Sequence, residues 1–478
     1  MGKDTGVPPR LFGTDGIRGI VGELITPSFA SEVAAAIGQT IAPPGIALVA
    51  HDFRVTSPGL ARILAGTLQM YGFDVREMGP MPTPCLQFNA RALEARLGLM
   101  VTASHNPVTF NGIKMCGPDG LELAREIEEQ IEAAVYYKRF PATPANAGGT
   151  VRAESGGVER YLASIARVAP TAAIRAHRFR VVLDCGNGTS AVTSPRLLRN
   201  LGIDLITLNA NPDGTFPGHP SEPKEENLAQ LMHAVPAAGA DLGIAHDGDS
   251  DRVAFVDELG HYLPGEVTLA LFAREVLRSA GPGVVVTSVM STSSVADVVA
   301  EQGGELVVTR SGSLSVARAI LDHGAVFGGE ENGGYYWPAH QVARDGPASS
   351  VMMLGFLAQA GAPLSELTAR LPRYTVVKQS VPCSSQWKPT LVHEVHDRLL
   401  DGALRIDTID GVRAFYSDGW VLVRPSGTEP LIRILAESRN SERAEKLRDD
   451  AVAWVEEIRD RLEHAEPAAD HASPLPAG

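Results

Sequence analysis

The segment IALVAHDFRVTSPGLARILAGTLQMYG, residues 46–72, begins with a short apolar run and continues into a stretch with helical periodicity. The same order recurs where FRVVLDCGNG (179–188) precedes SPRLLRNLG and where VVVTSV (284–289) precedes VADVVAEQGG. Short apolar runs that alternate with helices are typical of βαβ units. The pattern therefore predicts three related α/β domains with mostly parallel, mixed sheets.

Breaks in this alternation indicate where the domains end. A connection rich in Pro, Gly and Ala at 140–157 separates the first two repeats. Towards the C-terminus, VVKQSVPC, VRAFYSDGWVLVRP and PLIRILAES favour antiparallel strands followed by an amphipathic helix, which predicts an α+β domain. The final residues are small and rich in Pro, as is typical of disorder. The predicted domains are 1–155, 156–257, 258–372 and 373–464, followed by a disordered tail at 465–478.

The composition of the 478-residue chain limits its location and partners. Asp and Glu number 56 against 42 Lys and Arg, for a net charge of −14, so we expect no nucleic-acid partner, which would require a basic face. The four cysteines form no CxxC pair, and the N-terminus has no apolar signal segment. No apolar run approaches the roughly 18 residues of a membrane helix. We therefore expect a cytoplasmic protein with no membrane partner.

A second apolar run ends in Thr-Ala-Ser-His-Asn-Pro, within GLMVTASHNPVTFNGIK at residues 98–114. Ser104 stands where the strand gives way to a turn. Such a serine is either turn chemistry or a nucleophile at the mouth of a cleft. The residues alone leave both interpretations open.

Three aspartates alternate in HDGDSDRVAFVDE, at Asp247, Asp249 and Asp251. Carboxylates this close repel one another unless a cation neutralises them, and hard oxygen ligands suit Mg²⁺. The alternative is a solvated acidic turn. An EF-hand is disfavoured because Arg252 occupies the sixth position, where that loop needs Gly.

The segment RPSGTEP follows an apolar, strand-like run. Gly427 permits close backbone approach, and consecutive backbone N–H groups near Ser426 and Thr428 can bind an anion. Arg424 and Arg433 can add charged donors. The segment predicts a phosphate-binding loop, with an ordinary hairpin turn as the alternative.

Three further segments carry polar groups near Gly residues. GGEENGG places Glu330 and Asn332 in a loop suited to binding sugar hydroxyls, or in a plain acidic hairpin. TRSGS adds Arg310, and LFGTDGIRG adds Asp15 and Arg18. VVLDCGNGTSA also matches GxGxxA, but TSPRLL starts a new helix after it, which disfavours a dinucleotide site.

Together FGTDGIRG, TASHNPVTFNGIK, DGDSDR, GGEENGG and RPSGTEP resemble, in this order, the motifs of the α-D-phosphohexomutase family. The resemblance spans about residues 10–460 and implies four domains around a central cleft. It implies that Ser104 is a phosphoserine that binds Mg²⁺ together with Asp247, Asp249 and Asp251. It also places three groups of residues. Near the transferring phosphoryl group it places Arg18, His105 and Lys114. Near the sugar phosphate or the metal loop it places Arg252, Arg310, Glu330 and Asn332, and near the substrate phosphate it places Arg424, Ser426, Gly427, Thr428 and Arg433.

The implied activity is the interconversion of hexose 6-phosphate and hexose 1-phosphate through a bound hexose 1,6-bisphosphate. The partners are then small sugar phosphates, the general base is His105 or Lys114, and we expect a monomer or homodimer. Asn332, where many bacterial members have Ser, favours phosphoglucosamine mutase, with phosphomannomutase or phosphoglucomutase as the alternative. A catalytically silent sugar-phosphate binding protein would have lost Ser104 or an aspartate. Ser250, where many members have Gly, should be tolerated unless the position needs a positive φ.

Overall fold

A computed structural model describes residues 10–13, 15–138, 140, 144, 146–427 and 429–464. Two compact units make up this part of the chain, the first ending at Pro372 and the second beginning at Arg373. Three sheets lie in the first unit and one in the second, counted over those residues. None of the helices within these ranges is both long and apolar enough to cross a membrane.

The first sheet and its helices precede residue 154. The strands are β1 (Ile17–Ile20), β2 (Ile46–His51), β3 (Asp74–Pro80), β4 (Leu97–Val101), β5 (Phe110–Cys116) and β6 (Val151–Ala153), and the helices are α1 (Pro27–Thr40), α2 (Ser57–Met70), α3 (Thr83–Ala92) and α4 (Arg125–Tyr136). The strand order is β1-β5-β4-β2-β3-β6. β2, β3, β4 and β6 run parallel, whereas β5 and β1 are antiparallel additions at one edge.

The second sheet has the order β11-β10-β9-β7-β8. Its elements are α5 (Gly157–Val168), α6 (Thr171–His177), β7 (Arg180–Asp184), α7 (Ser194–Asn200), β8 (Asp204–Leu208), α8 (Ala229–Ala237), β9 (Leu242–His246), β10 (Val253–Val256) and β11 (Tyr262–Leu263), with single 3₁₀ turns at Thr189–Val192 and Glu225–Asn227. β7, β8 and β9 are parallel, and β10 and β11 are antiparallel.

The third sheet has the order β13-β12-β14-β15-β16. Its elements are α9 (Gly265–Ala280), β12 (Val284–Ser288), α10 (Ser293–Glu301), β13 (Glu305–Thr309), α11 (Ser313–His323), β14 (Phe327–Gly329), β15 (Tyr335–Trp337), β16 (Gln341–Arg344), α12 (Gly346–Ala360) and α13 (Leu364–Ala369). Again the first three strands are parallel and the last two antiparallel.

These three sheets share one plan, which confirms the predicted three related α/β domains. In each sheet, two parallel strands are followed by a third strand on the opposite side of the first, and that third strand forms an antiparallel hairpin with the next. The third strands β4 and β9 are buried along their whole length, because helices cover both faces of the parallel core. The hairpins β4–β5, β9–β10 and β14–β15 therefore occupy equivalent positions.

The second unit is an antiparallel sheet with two helices, as predicted for the α+β domain. Its elements are β17 (Thr375–Pro382), α14 (Lys388–Leu399), β18 (Arg405–Asp407), β19 (Val412–Tyr416), β20 (Gly419–Pro425), β21 (Leu431–Ser438) and α15 (Ser441–His464), in the strand order β17-β21-β20-β19-β18. Leu391, Val423, Ile434 and Val455 pack in its core. The predicted tail at 465–478 lies outside the described residues.

Candidate active site

The loops of the three equivalent hairpins carry three of the predicted motifs. Ser104 lies between β4 and β5, the three aspartates lie between β9 and β10, and Glu330 lies between β14 and β15. A strand end at a sheet edge is where backbone groups leave the ladder and side chains can face a ligand. The repeated topology thus presents a serine, a carboxylate cluster and a further carboxylate from matching positions.

Ser104 is buried and adopts a φ of +50°, in the left-handed region. A non-glycine residue held in this region indicates that the surrounding structure over-determines its conformation. Its hydroxyl donates to Asp247 Oδ2 at 2.8 Å and lies 3.2 Å from His105 Nδ1. The serine and the aspartate cluster, 143 residues apart in sequence, therefore share one site.

The guanidinium of Arg54 binds the backbone of the Ser104 loop. It is buried and is paired through Nε with Asp52 at 3.2 Å. It donates to four carbonyl oxygens of the loop, those of Ser104 (3.0 Å), Asn106 (2.6 Å), Pro107 (2.7 Å) and Phe110 (3.0 Å). Charged, bidentate donors of this kind fix backbone geometry more strongly than neutral ones.

The aspartate loop packs directly on the Ser104 loop. A Cβ at Gly248 would lie 2.6 Å from the carbonyl oxygen of Ser104, closer than side chains approach a backbone oxygen. Gly248 is therefore required for the two loops to meet.

Asp249 and Asp251 each accept hydrogen bonds from protein donors through one oxygen. Asp249 Oδ2 accepts from Thr83 Oγ1 at 2.6 Å and from Lys114 Nζ at 2.8 Å. Asp251 Oδ2 accepts from Lys114 Nζ at 3.0 Å and from Arg344 at 2.7 Å. The other oxygen of each, Oδ1, is buried and has no hydrogen-bond donor among the described residues.

This arrangement fits a divalent cation. One oxygen from each of Asp247, Asp249 and Asp251 lies within 4.8 Å of the others. Buried carboxylate oxygens without donors are costly, and a hard cation that prefers oxygen ligands, such as Mg²⁺, satisfies them. The three side chains could hold the ion together with the oxygen of Ser104.

Asp15 anchors three cations beside the aspartates. Its Oδ2 accepts from Lys114 at 2.7 Å, Arg344 at 2.8 Å and Arg18 at 3.0 Å. Burial alone would raise the pKa of Asp15, but Lys114, Arg344 and Arg18 together hold it well below its ordinary value. Likewise burial would lower the pKa of Lys114, but Asp15, Asp249 and Asp251 raise it, so Lys114 is a cation.

The surroundings of His105 disfavour a positive charge on its ring, whereas those of Lys114 favour one. Burial, together with the charges of Arg252 and Arg18, lowers the pKa of His105 to about 2, so its ring is neutral near pH 7. Arg252 itself donates its backbone N–H to Asp247 Oδ1 at 3.1 Å, and its side chain lies 3.8 Å from Glu222. Arg18 also bonds Asn106 Oδ1 at 2.8 Å, which ties it to the Ser104 loop.

Ser250 meets the condition under which its replacement of Gly was expected to cause strain. Its φ is +63°, so the position does need a left-handed backbone. The side chain compensates, because Ser250 Oγ lies 2.9 Å from Thr189 Oγ1. The serine therefore lacks the conformational freedom that glycine would have at this φ, but it gains a buried hydrogen bond.

Glu330 is 3% exposed and only one of its oxygens is used. Oε1 accepts from the backbone N–H of Gly312 at 3.2 Å, whereas Oε2 is buried with no hydrogen-bond partner in the described part of the chain. Asn332 is exposed, and its Oδ1 accepts from Gly334 N, which shapes the hairpin turn. Arg310 is exposed at the end of β13, two residues before Gly312.

In the second unit, the RPSG loop joins β20 to β21. Ser426 Oγ accepts from the N–H of Glu429 at 3.1 Å, and Gly427 is exposed, with open space around its Cα. Lys388 Nζ donates to the carbonyl oxygens of Ser426 at 2.7 Å and Glu429 at 2.6 Å. Thr428 lies outside the described residues.

The two arginines of this loop are ion-paired. Arg424 contacts Asp410 at 3.1 Å, and Arg433 contacts Glu429 at 2.6 Å. Arg433 is 41% exposed and Arg424 is 11% exposed. An anion bound by both would therefore contact one guanidinium that is well hydrated, that of Arg433, and one that is largely shielded from water, that of Arg424. Both are within the same hairpin, because Arg424 pairs with Arg433 in the β20–β21 register.

Sequence reasoning missed Arg344, Thr83 and Lys388. Each lies in an ordinary stretch and contacts a residue distant in sequence. Only its position could have indicated a role for Arg344. This arginine follows a short apolar run and immediately precedes Asp-Gly-Pro, a sequence typical of the end of a strand.

The segments that carry the motifs match known protein families. The chain matches four families, described as phosphoglucomutase/phosphomannomutase alpha/beta/alpha domain I over residues 9–141, domain II over 159–260, domain III over 264–374 and the C-terminal domain over 379–453.

Relatives match over nearly the whole chain. A probable phosphoglucosamine mutase of Methanopyrus kandleri is 43% identical, over 94% of this chain and 100% of that protein. A phosphoglucomutase/phosphomannomutase of Thermococcus kodakarensis is 38% identical, over 94% and 99%. Among solved structures, a phosphoglucomutase/phosphomannomutase family protein of Burkholderia thailandensis is 27% identical, with a TM-score of 0.83 over 94% of this chain and 97% of that one.

Proposed function

The chain belongs to the phosphoglucomutase/phosphomannomutase family, and from this premise we propose that it interconverts a hexose 6-phosphate and a hexose 1-phosphate through phospho-Ser104. The observation that carries the proposal is the 2.8 Å contact between Ser104 Oγ and Asp247 Oδ2 inside a buried carboxylate cluster. A serine that served only as a turn residue would not need its hydroxyl bonded to a buried cluster of three aspartates.

In the proposed reaction, phospho-Ser104 gives its phosphoryl group to the sugar and then accepts the other phosphoryl group of the sugar. In the first half, the bond from phosphorus to Ser104 Oγ breaks, a bond from phosphorus to the free sugar oxygen forms, and the proton of that hydroxyl passes through the general base to Ser104 Oγ, which leaves as the serine hydroxyl. The product is a hexose 1,6-bisphosphate. After the sugar has reversed its orientation, Ser104 Oγ attacks the other phosphorus, the bond from that phosphorus to its sugar oxygen breaks, and the proton of Ser104 passes to that oxygen.

The residues around Ser104 are suited to the charge that moves. Phosphoserine carries about −1.5 to −2 at neutral pH. Mg²⁺ held by Asp247, Asp249 and Asp251 would supply positive charge against the phosphoryl oxygens. Lys114 lies 2.7 Å from Asp15, and Arg18 bonds both Asp15 and Asn106 of the Ser104 loop, so these two residues add fixed positive charge without reorganisation.

Of the two candidates for the general base, His105 lies beside the reacting oxygen, with Nδ1 3.2 Å from Ser104 Oγ. Burial and the charges of Arg252 and Arg18 lower the pKa of His105, which keeps the ring neutral but makes it a weak proton acceptor, so the proximity of Nδ1 and not its basicity supports this candidate. Lys114 is held as a cation by three carboxylates, so it is better suited to stabilising charge than to accepting a proton.

The sugar is the finer part of the proposal. Glu330 Oε2, buried without a donor, would accept hydrogen bonds from sugar hydroxyl or ammonium groups. Glucosamine phosphate is the favoured substrate, supported by Asn332 in the hairpin and by the name of the 43% identical relative. Mannose and glucose phosphates are the second candidates, supported by the name of the 38% identical relative.

The decisive experiment assays glucosamine, mannose and glucose 6-phosphates side by side, with and without Mg²⁺, and measures the intact mass of the protein. We expect a phosphate adduct on Ser104 and the highest kcat/KM with glucosamine phosphate. Binding without an adduct or turnover would instead indicate a silent sugar-phosphate binding protein.

A further inference from the structure

Arg344 is a buried cation of the site that lies outside the motifs identified in the sequence. It is the last residue of β16, and its guanidinium is buried at 7% exposure. One nitrogen, Nη2, donates to Asp251 Oδ2 at 2.7 Å and to Asp15 Oδ2 at 2.8 Å. A single buried donor group thus bridges the carboxylate loop to the segment that precedes β1.

The backbone on both sides of Arg344 is held firmly. The next residue, Asp345, caps α12 by accepting from Ala348 N at 2.8 Å, and it also accepts from Tyr161 at 2.6 Å and Gln341 at 2.7 Å. A Cβ at Gly334 would collide with the alkyl stem of Arg344, so a glycine opposite leaves the path for this side chain. The arginine is therefore presented from a rigid element rather than from a loose loop.

The consequence falls on Asp251. Arg344 and Lys114 both occupy Oδ2, which leaves Oδ1 as the oxygen without a hydrogen-bond donor among the described residues. We propose that Arg344 is a positioning residue for the metal: by holding Asp251 through Oδ2, it turns Oδ1 towards the cation. This inference rests on the proposed function, since it concerns the metal of that same site.

Electrostatic repulsion alone predicts the opposite effect of Arg344 on the affinity for the metal. A positive guanidinium 2.7 Å from a ligand carboxylate repels a divalent cation, so its neutralisation would tighten metal binding. Positioning predicts weaker binding, because groups that orient metal ligands typically contribute about 10–100-fold to metal affinity. The two effects therefore differ in sign.

The test measures Mn²⁺ binding to the full chain by electron paramagnetic resonance, and Mg²⁺ by competition, without any sugar phosphate. Asp249→Asn identifies the signal that belongs to this loop. We expect Arg344→Gln to weaken that site about 10–100-fold and Arg344→Lys, which keeps the charge but is too short to bridge both carboxylates, to weaken it severalfold. Arg274→Gln is the matched control: Arg274 is 9% exposed, paired with Glu275 on α9, and should leave Mn²⁺ binding unchanged.

Unchanged or tighter Mn²⁺ binding in Arg344→Gln would overturn the inference, as would full affinity in Arg344→Lys. The Lys variant keeps the test decisive if the Gln variant unfolds, because it separates geometry from charge. A parent protein that binds no metal at this loop would instead overturn the proposed metal site. A parent that binds metal but turns over no hexose phosphate would overturn the proposed function and leave the role of Arg344 standing.

Discussion

Ser104 Oγ donates to Asp247 Oδ2 across 2.8 Å, so the hydroxyl of one sheet is bonded to a carboxylate of the next. This contact joins the proposed phosphoryl carrier to the proposed metal ligands.

Ser104→Ala should lower mutase turnover by at least about four orders of magnitude, because no other group takes over the covalent step. Binding of the sugar phosphate, measured by calorimetry, should persist. Intact mass should show no phosphate adduct, whereas the exposed-serine control Ser28→Ala should keep it. Near-normal turnover in the Ser104 variant would contradict the covalent mechanism.

Asp249→Asn removes a metal ligand but keeps the shape of the side chain. Metal ions supply several kcal/mol to such reactions, so kcat should fall by about three orders of magnitude and excess Mg²⁺ should not restore it. Activity is measured across a Mg²⁺ titration. Full activity of the parent in a strong chelator would show that no metal takes part.

Glu330→Gln leaves an acceptor for Gly312 but removes the negative charge of the unpartnered oxygen. Hydrogen bonds to charged groups contribute about 1.5–3 kcal/mol, which corresponds to a fall of about 10–150-fold in kcat/KM. The exposed Glu305→Gln should have no effect. An equal loss for glucose, mannose and glucosamine phosphates would show that Glu330 binds a group common to all three.

The RPSG loop of the second unit should act on binding more than on chemistry. Arg424→Ala and Lys388→Met should each raise KM, the first by removing a donor and the second by releasing the carbonyl oxygens of Ser426 and Glu429. We expect rises of about tenfold with a smaller change in kcat. An unchanged KM in both variants would show that this loop does not hold the phosphate.

The stability of the protein should depend on pH through His219. Burial lowers the pKa of His219, but Asp184, 3.2 Å away, outweighs burial and raises it above its ordinary value. The resulting stabilisation is complete below the unfolded-state pKa of about 6.5 and is lost as the pH rises through the raised folded-state pKa. The difference in unfolding free energy between the parent and His219→Gln should therefore shrink between pH 6 and pH 9. A constant difference would contradict the ion pair.

The fold and the positions of Ser104, the three aspartates and Glu330 after strands could be predicted because they leave local traces, whereas the roles of these residues were implied by the family resemblance. Ser104, the aspartates and Glu330 each follow an apolar run, and strand ends with polar residues are visible in sequence. Arg344 and Lys388 could not be predicted, because their partners lie in other elements and an arginine or lysine at a strand or helix end has no distinctive pattern. The left-handed backbone of Ser250 was indicated only by the family resemblance, in which many members have Gly there, because a serine gives no local sign of it.

The hairpin of Glu330 and the hairpins of Ser104 and the three aspartates belong to different sheets, and under the proposed function this separation has an evolutionary consequence. Mutations around Glu330 and Asn332 would then alter which hydroxyl or amine is bound, while the bonds from Ser104 to Asp247 and from Lys114 to Asp249 stay intact. New substrate ranges can then arise by exchanging one short turn, without passing through an inactive ancestor.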